Sequence, residues 1–316
     1  MNGPIPRLLR QRIFVGLLTL FLVSALVFFM ASLLPGDAAQ MSLGQAATPE
    51  TVAALRHKLG LDQPALWRYV KWLTGLATGD FGISYASGVA VRDIVIARIP
   101  NTLSLAAAAT AVSVPIALVL GILAAMYRGS RLDRFIGLST MSIVAVPEFL
   151  VATLAVLLFA VKLHWVSALS FGPEGSGLIA FMRAYSLPVL VLCCVVIAQM
   201  ARMTRAALIN QLDAPYIEMT VLKGLSTTRA VLRHALPNAI GPIVNAMALS
   251  LSYLLGGVVI VETIFSYPGL ASTLVDAVSN RDLPVVQFCV IFFSACYLLL
   301  LLIADIVTIV LNPKLR

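Results

Sequence analysis

The stretch NTLSLAAAATAVSVPIALVLGILAAM, which runs from Asn101 to Met126, contains no charged residue. A helix of this length reaches across the hydrocarbon core of a lipid bilayer, which is about 30 Å thick. Its small residues, concentrated from Ala106 to Ala109, allow neighbouring helices to approach closely in lipid. The stretch therefore predicts a transmembrane helix that packs against other helices.

Comparable stretches recur along the chain, which is 60% hydrophobic and only 11% charged, with a mean hydropathy of +0.98. A soluble domain carries about 25% charged residues, so this composition excludes an ordinary globular protein, a disordered chain and a coiled coil. We predict an all-α membrane protein with six transmembrane helices. The other predicted spans are 13–34, 135–161, 184–203, 238–262 and 285–310. Prolines inside the spans predict kinks at Pro115, Pro147, Pro188 and Pro242.

The first predicted span follows a basic tail, as a signal peptide would. Its apolar stretch is longer than the roughly 7–15 residues of a cleavable signal, so it predicts a retained anchor. The net charge of +8 reflects Lys and Arg gathered in both terminal tails and around residues 128–134 and 202–233. These regions share one face if the spans alternate, and cytoplasmic loops carry the basic excess. We therefore expect both termini in the cytoplasm and no nucleic-acid partner.

Residues 35–96 are the least apolar part of the chain and predict an extracytoplasmic segment. Thr48 and Pro49 form a helix-start signal, a capping residue followed by proline at the first helical position. The predicted organisation has a tail and first helix at 1–34, this outer segment at 35–96, and a five-helix core at 97–316. A second amphipathic helix in the outer segment is predicted to present Leu66, Val70, Leu73 and Leu76 on one face.

The polar segment 204–236 separates the fourth and fifth predicted spans. Within it we predict two short helices separated by Gly224, because Gly readily adopts the left-handed conformation that ends a helix. The second helix is predicted to begin at Ser226 or Thr227, and Pro237 to mark the return to the membrane. From the residues alone, the segment is either a projecting contact for another protein or an ordinary connecting loop.

Ionisable and polar groups inside the spans are candidates for a translocation path, since such groups are costly at membrane depth. Glu148 directly follows Pro147, and two interpretations stay open: a carboxylate that senses a peptide amine or another cation, or a structural group. Glu262 and Asp305 lie nearer span ends, where a hydrated or ion-paired role is favoured. Asn101 is expected to cap its helix rather than to contact substrate.

Further motifs occur in a fixed order along the chain. They are LPGD at 34–37, LGLDQP at 59–64, GDFGISY at 79–85, PNTL at 100–103, Glu218 with Gly224 ahead of Leu236-Pro237, VETIFSYPGL at 261–270 and NRDLPVVQ at 280–287. In this combination the chain resembles the B-type, or first, permease subunit of the dipeptide, oligopeptide and nickel ABC importers. The resemblance covers nearly the whole chain and implies the type I ABC importer permease fold in the bacterial inner membrane.

The resemblance also implies what the chain does: it would translocate di- or oligopeptides, or a related solute, in an ATP-driven importer. Segment 204–236 is similar to the "EAA" loop of these permeases, which docks into an ATPase subunit. Its partners would be a second homologous permease, two ATP-binding subunits, an extracytoplasmic solute-binding protein and membrane lipid. The residues assigned to the ATPase-coupling loop are Tyr216, Glu218, Lys223, Gly224, Leu225 and Ser226.

No G-x-x-x-x-G-K-[ST] phosphate loop occurs in the sequence. ATP and Mg would therefore be used by the partner ATPase subunits, and we expect no cofactor, metal or catalytic residue in this chain. One alternative is an ion-coupled secondary transporter, although no convincing internal repeat of the kind found in that class is present. Another is an intramembrane enzyme, for which the spans offer only Glu148 and Asp305 as candidate carboxylates.

Overall fold

The structure is a computed structural model that describes residues 4–33, 38–170 and 178–311. The LPGD motif at 34–37 and the basic residues at 312–316 lie outside the described residues. The described chain is helical nearly throughout. In chain order its helices are α1 (Pro4–Leu33), α2 (Ala38–Leu43), α3 (Pro49–Lys58), α4 (Ala65–Thr78), α5 (Val91–Met126), α6 (Arg131–Ala145), α7 (Glu148–Ala155), α8 (Leu178–Leu212), α9 (Pro215–Leu222), α10 (Thr227–Ala230), α11 (Leu236–Ile264), α12 (Leu270–Ser279) and α13 (Leu283–Leu311). Short π-helical turns at Val156–Lys162 and Val231–Ala235 extend α7 and join α10 to α11.

Among the described residues, five helices are long and apolar enough to cross a membrane. A sixth span results if α6 and the extended α7 are counted together, since this pair is bent by 98°. These findings confirm the predicted all-α membrane protein with six spans, the third of them broken. The five unbroken spans are Leu9–Leu33, Val91–Met126, Tyr185–Leu212, Thr227–Ile264 and Leu283–Val310.

The break in the third span lies at Val146 and Pro147. Proline disfavours the helical conformation of the residue before it, and Val146 is extended, with φ −90° and ψ 128°. Pro147 is also extended, with ψ 138°, and α7 starts at the next residue. The sequence predicted a kink at this proline, and the structure shows that the helix stops and restarts in a new direction.

Helix α5 corrects the prediction for Asn101. The helix begins at Val91 rather than at Pro100, so Asn101 lies in its interior and cannot be its N-cap. The prediction was wrong because it ended the helix where the apolar stretch ends. The additional turns carry charged residues, Arg92, Asp93 and Arg98, and still continue the same helix.

The polar segment between the fourth and fifth spans is shorter than predicted. Helix α8 continues to Leu212, well past the predicted end of its span at residue 203. On the other side, α10 is not a separate short helix, because the π-helical turn makes Thr227–Ile264 one continuous span. Between the end of α8 and the span that begins at Thr227, the chain therefore contains only α9 and two short connections.

Tertiary contacts divide the described chain into two compact units, each assembled from separate segments. The first contains the described residues of 1–12, 104–267 and 297–316, and the second those of 13–103 and 268–296. In the first unit, α8 packs against both α6 and α11. The sequence divided the chain into segments 1–34, 35–96 and 97–316 according to their expected position relative to the membrane, and that division stays a prediction. The core of the second unit is formed by Val91, Val95, Leu270, Ala277, Val285, Val286 and Cys289.

The second unit also holds the predicted outer helices. Thr48 caps α3 through its side chain, which accepts a hydrogen bond from the Thr51 backbone, with Pro49 at the first helical position, as predicted. Helix α4 forms as predicted but with a different buried face. Tyr69 is only 4% exposed, and its hydroxyl lies 2.8 Å from the Ser24 hydroxyl oxygen of α1. Leu66, one of the residues predicted to form the apolar face, is 65% exposed.

Candidate functional site

The segment from α9 to α10 has the helix–glycine–helix form that the sequence predicted. Helix α9 ends at Leu222, and Gly224 takes the left-handed conformation with φ 83°. The N–H of Leu225 donates to the carbonyl of Thr220 at 3.3 Å, which closes the end of α9. Only glycine adopts this backbone conformation at little cost, so Gly224 sets the direction in which the chain leaves α9.

Helix α9 is attached to the core of the first unit along one face. Ile217 is only 3% exposed and packs among buried residues that include Leu208 of α8 and Ile243 of α11. At the start of α9, the Tyr216 hydroxyl lies 2.9 Å from Oε1 of Gln211, to which it donates a hydrogen bond. Helix α9 therefore shares a core with both long helices.

The remaining surface of α9 is exposed and partly apolar. Met219 is 54% exposed and Leu222 is 72% exposed, next to the solvent-exposed Glu218 and Lys223. Apolar side chains grouped on an exposed surface beside charged ones are typical of a protein-protein contact. The residues that the sequence assigned to coupling thus lie on a segment that is buried along one face of α9 and exposed on the rest, and their coupling role stays a prediction.

Two ion pairs lie in the first unit, one joining α6 to α8 and the other next to α9, and their basic residues were predicted only to set membrane orientation. Arg205 of α8 forms a two-pronged pair with Asp133 of α6, with Nε to Oδ1 at 2.7 Å and Nη2 to Oδ2 at 2.9 Å. Asp133 also accepts a hydrogen bond from the N–H of Gly129 at 2.9 Å. Arg128 contacts Asp213, just before α9, at 2.8 Å. The buried pair could have been suspected from the sequence, because Asp133 and Arg205 lie just outside the ends of two predicted spans.

The candidate path residues occupy different surroundings. Glu148 is the first residue of α7, is half-buried, and lies against Gly257 of α11. Glu262, near the end of α11, is completely buried. Asn101 belongs to the second unit, where its Nδ2 donates to the carbonyl oxygen of Pro268 at 2.8 Å. Asp305 is ion-paired as the sequence favoured, with Oδ2 at 2.9 Å from Nε of Arg12.

Two motifs that are far apart in the sequence meet in the second unit. Asp282, of the NRDLPVVQ motif, is 3% exposed and accepts hydrogen bonds from the Ser84 hydroxyl and from the Tyr85 backbone N–H, the latter at 2.9 Å. Burial raises the pKa of the Tyr85 hydroxyl, although the nearby guanidinium of Arg68 partly opposes this. Through the hydrogen bonds that it accepts from Ser84 and Tyr85, the carboxylate of Asp282 fastens the GDFGISY motif to the loop before α13.

These features define a multi-pass helical membrane protein with a short, partly exposed helix between its fourth and fifth spans. Residues 117–316 match the family of binding-protein-dependent transport system inner membrane components, and residues 5–106 match the N-terminal family of the same membrane components. The chain belongs to this family of inner-membrane permeases. Membership in this family favours a permease of a binding-protein-dependent importer over the ion-coupled secondary transporter and the intramembrane enzyme that the sequence left open.

Curated relatives match the chain over nearly its whole length. A peptide transport system permease protein of Brucella abortus is 34% identical over 309 residues, 98% of each chain. A peptide transport system permease protein of Brucella suis biovar 1 is 34% identical over 307 residues, 97% of this chain and 98% of the relative. The glutathione transport system permease protein GsiC of Escherichia coli is 36% identical over 298 residues, 94% of this chain and 95% of the relative.

Proposed function

We propose that this chain is the membrane-spanning subunit of an ATP-driven importer that carries small peptides, or a related solute, delivered by a solute-binding protein. The named relatives are permeases for peptides and for glutathione, and glutathione is itself a short peptide. The observation that carries the proposal is α9, which is buried on one face in the core of the permease and exposed on the rest. It is the contact through which a separate ATPase drives transport.

The complete transporter would contain a second homologous permease, two ATP-binding subunits and the binding protein. ATP and Mg are bound and used by the ATP-binding subunits, and this chain contributes no catalytic group. When ATP closes the ATPase pair, the movement reaches α9 and passes through Ile217 to α8 and α11. ATP shifts the permease between inward-facing and outward-facing states because it binds the two states with different affinity.

The orientation in the membrane follows from the same proposal. The coupling segment and both termini face the cytoplasm, in agreement with the basic residues that surround them. The outer segment 35–96 and the segment 263–284, which contains α12, face the binding protein. Within them, the hydrogen bonds that Asp282 accepts give the GDFGISY motif a fixed shape, which a docking surface for a separate protein requires.

Site-directed cross-linking in membranes that hold the assembled importer tests the coupling contact. In a background without the native cysteines, Met219→Cys is expected to cross-link to an ATP-binding subunit, because its side chain is 54% exposed on α9. Ile217→Cys, which is 3% exposed on the same helix, is expected to give no cross-link. Leu66→Cys, exposed in the outer segment, is the control for an accessible thiol away from α9. Absence of a product with Met219→Cys in a transport-competent complex would refute the contact.

A further inference from the structure

We propose that Glu148 is a recognition site for the ammonium group of the transported solute, so that the permease itself favours solutes with a free amine. The inference rests on the proposed import of peptides, and it adds a specificity-determining residue within the membrane. It assigns to this chain part of a selection otherwise left to the binding protein.

The position of Glu148 brings a carboxylate into the membrane. It stands at the break between α6 and α7, two helices of 15 and 8 residues that form the bent third span with the π-helical extension. Its neighbours on both sides, Val146, Pro147, Phe149 and Leu150, are apolar. An ionisable group at such a depth is costly and tends to mark a path for polar or charged solutes.

Two other acidic groups of the membrane-spanning helices have arginine partners, and Glu262 of α11 is completely buried. Asp133 is paired with Arg205 at 2.7 Å, and Asp305 with Arg12 at 2.9 Å. Within the described part of the chain, no ion pair involves Glu148. Its side chain is only half-buried, so a cation from outside the chain can reach it.

The carboxylate of Glu148 lies directly against the backbone of α11. A Cβ atom on Gly257 would lie 2.3 Å from Oε1 and 2.8 Å from Oε2 of Glu148, so the carboxylate occupies the space that a side chain would need. Glu148 also lies in the first turn of α7, where the helix dipole favours a negative charge. The fold therefore places this carboxylate against the α11 backbone.

An ammonium group matches this anion in charge and in hydrogen bonding. It carries several N–H donors, and a carboxylate accepts more than one of them. In a partly dehydrated site such a charge-assisted bond is stronger than it is in water. A peptide with a free amino terminus supplies the group at a position that every such peptide shares, whatever its side chains.

Uptake of trialanine and of N-acetyltrialanine by the complete importer in proteoliposomes tests this role. Glu148→Gln is expected to lower the preference for the free amine about tenfold, through reduced uptake of trialanine, while N-acetyltrialanine uptake stays within about twofold. The same binding protein is used throughout, so its own preference cancels when each variant is divided by the wild type. Glu50→Gln is the matched control, since Glu50 also follows a proline in the first turn of a helix and is exposed.

A second pair of variants tests whether the position of the Glu148 carboxylate matters while the carboxylate itself is retained. Gly257→Ala is expected to displace Glu148 and to reduce the preference in the same direction. Gly256→Ala, where an added Cβ meets no atom within 4 Å, is expected to leave the preference unchanged. Thermal stability of each purified complex identifies any variant that fails to fold.

A binding measurement gives an independent readout. Dicyclohexylcarbodiimide reacts with carboxyl groups in apolar surroundings, and mass spectrometry locates the product on Glu148. Trialanine is expected to protect Glu148 from the reagent, and N-acetyltrialanine to give no protection. An unchanged uptake preference in Glu148→Gln, or equal protection by the two peptides, would overturn the inference. Failure of the wild-type importer to carry either peptide with ATP would instead count against the proposed function.

Discussion

At the level of single residues, two ion pairs show how burial determines what such a pair contributes to stability. The Asp133 side chain is 8% exposed and the Arg205 side chain 34%, whereas Arg128 and Asp213 are 54% and 59% exposed. Exposed pairs contribute about 0–1 kcal/mol, because water and salt screen them. Removing one partner of a buried pair costs about 3–5 kcal/mol, because the other charge is left without compensation. Arg205 retains some access to water, so we expect a cost below that range.

We therefore expect Asp133→Asn to lower the thermal unfolding midpoint of the detergent-purified permease by several degrees. The reason is that Arg205 then loses both carboxylate contacts, and Gly129 loses a charged acceptor. Asp213→Asn, the matched control at the exposed pair, is expected to shift the midpoint by about a degree or less. Size-exclusion chromatography after stepwise heating measures both. Equal midpoints for the two variants would contradict the assigned importance of the buried pair.

Gly224 acts through its backbone alone. A Cβ at this position would meet no atom within 4 Å, so a substitution there is strained only by its φ of 83°. We expect Gly224→Leu to reduce uptake strongly while the protein still inserts in the membrane, because the left-handed conformation costs a residue with a Cβ about 1–2 kcal/mol. The chain then relaxes and redirects α9 relative to α10.

Gly60 provides the matched control for Gly224. It is also left-handed, with φ 67°, and a Cβ there would likewise meet no atom within 4 Å. Gly60→Leu is expected to keep most of the uptake, and Gly224→Asn to keep more than Gly224→Leu, since Asn tolerates this conformation. Uptake and membrane abundance are measured on the same preparations. Normal uptake by Gly224→Leu would remove the coupling role from this turn.

At the scale of the elements, helix α5 approaches α8 very closely at Gly121. A Cβ on Gly121 would lie 2.7 Å from Cβ of Thr204 and 2.8 Å from the carbonyl oxygen of Ala201. Ala117, one turn before Gly121 in α5, forms a buried cluster with Met200 and Ala201 of α8. Small residues allow such contacts between helices in lipid, where packing rather than hydrophobic burial supplies the attraction.

Gly121→Ala is accordingly expected to destabilise the permease by about 1–3 kcal/mol, since the backbone of α8 must move to admit the methyl group. Gly137→Ala in α6 is the matched helical control, because a Cβ there meets no atom within 4 Å. It is expected to be neutral, or to stabilise the helix by up to about 1 kcal/mol. Thermal unfolding in detergent compares the two variants with the wild type. A destabilisation of Gly137→Ala equal to that of Gly121→Ala would contradict the packing argument.

The elements also show which features the sequence alone could predict. Hydropathy predicted the spans, because exposing polar groups to lipid is costly and each span therefore needs a continuous local run of apolar residues. Helix ends were predicted less well: α5 starts at Val91 because its charged turns extend beyond the apolar stretch. Helix α8 likewise continues past residue 203, and Arg205, which looked like a loop residue, is held by Asp133 of α6. That pairing depends on tertiary contact between residues far apart in the chain.

The candidate site was predictable to a similar degree. Gly224 has a local signature, and its left-handed conformation was confirmed. The burial of Ile217 against α8 and α11 could not be predicted from the sequence, because such a prediction requires knowing which helices pack together. The capping role of Asn101 was wrong because α5 begins earlier, at Val91, and the Asn101 side chain donates instead to the distant carbonyl oxygen of Pro268. The path roles of Glu148, Asn101 and Glu262 stay predictions.

At the scale of the whole molecule, the orientation in the membrane connects the fold to the proposed function. The coupling segment can reach an ATPase only if it faces the cytoplasm. We expect a green fluorescent protein fused after Arg316 to fluoresce and an alkaline phosphatase at the same point to stay inactive. An alkaline phosphatase inserted at Gly88, in the exposed loop before α5, is expected to be active. The opposite pattern would contradict the assigned orientation, and with it the coupling contact.

The measurement that tests the central claim most directly is purification of this chain in mild detergent from its native membranes. An affinity tag is placed after Arg316, and mass spectrometry identifies every protein that co-purifies. We predict a second, homologous permease and ATP-binding proteins in stable association with the chain. Recovery of the folded chain alone, under conditions that preserve known transporter assemblies, would contradict the claim that it is one subunit of an ATP-driven importer.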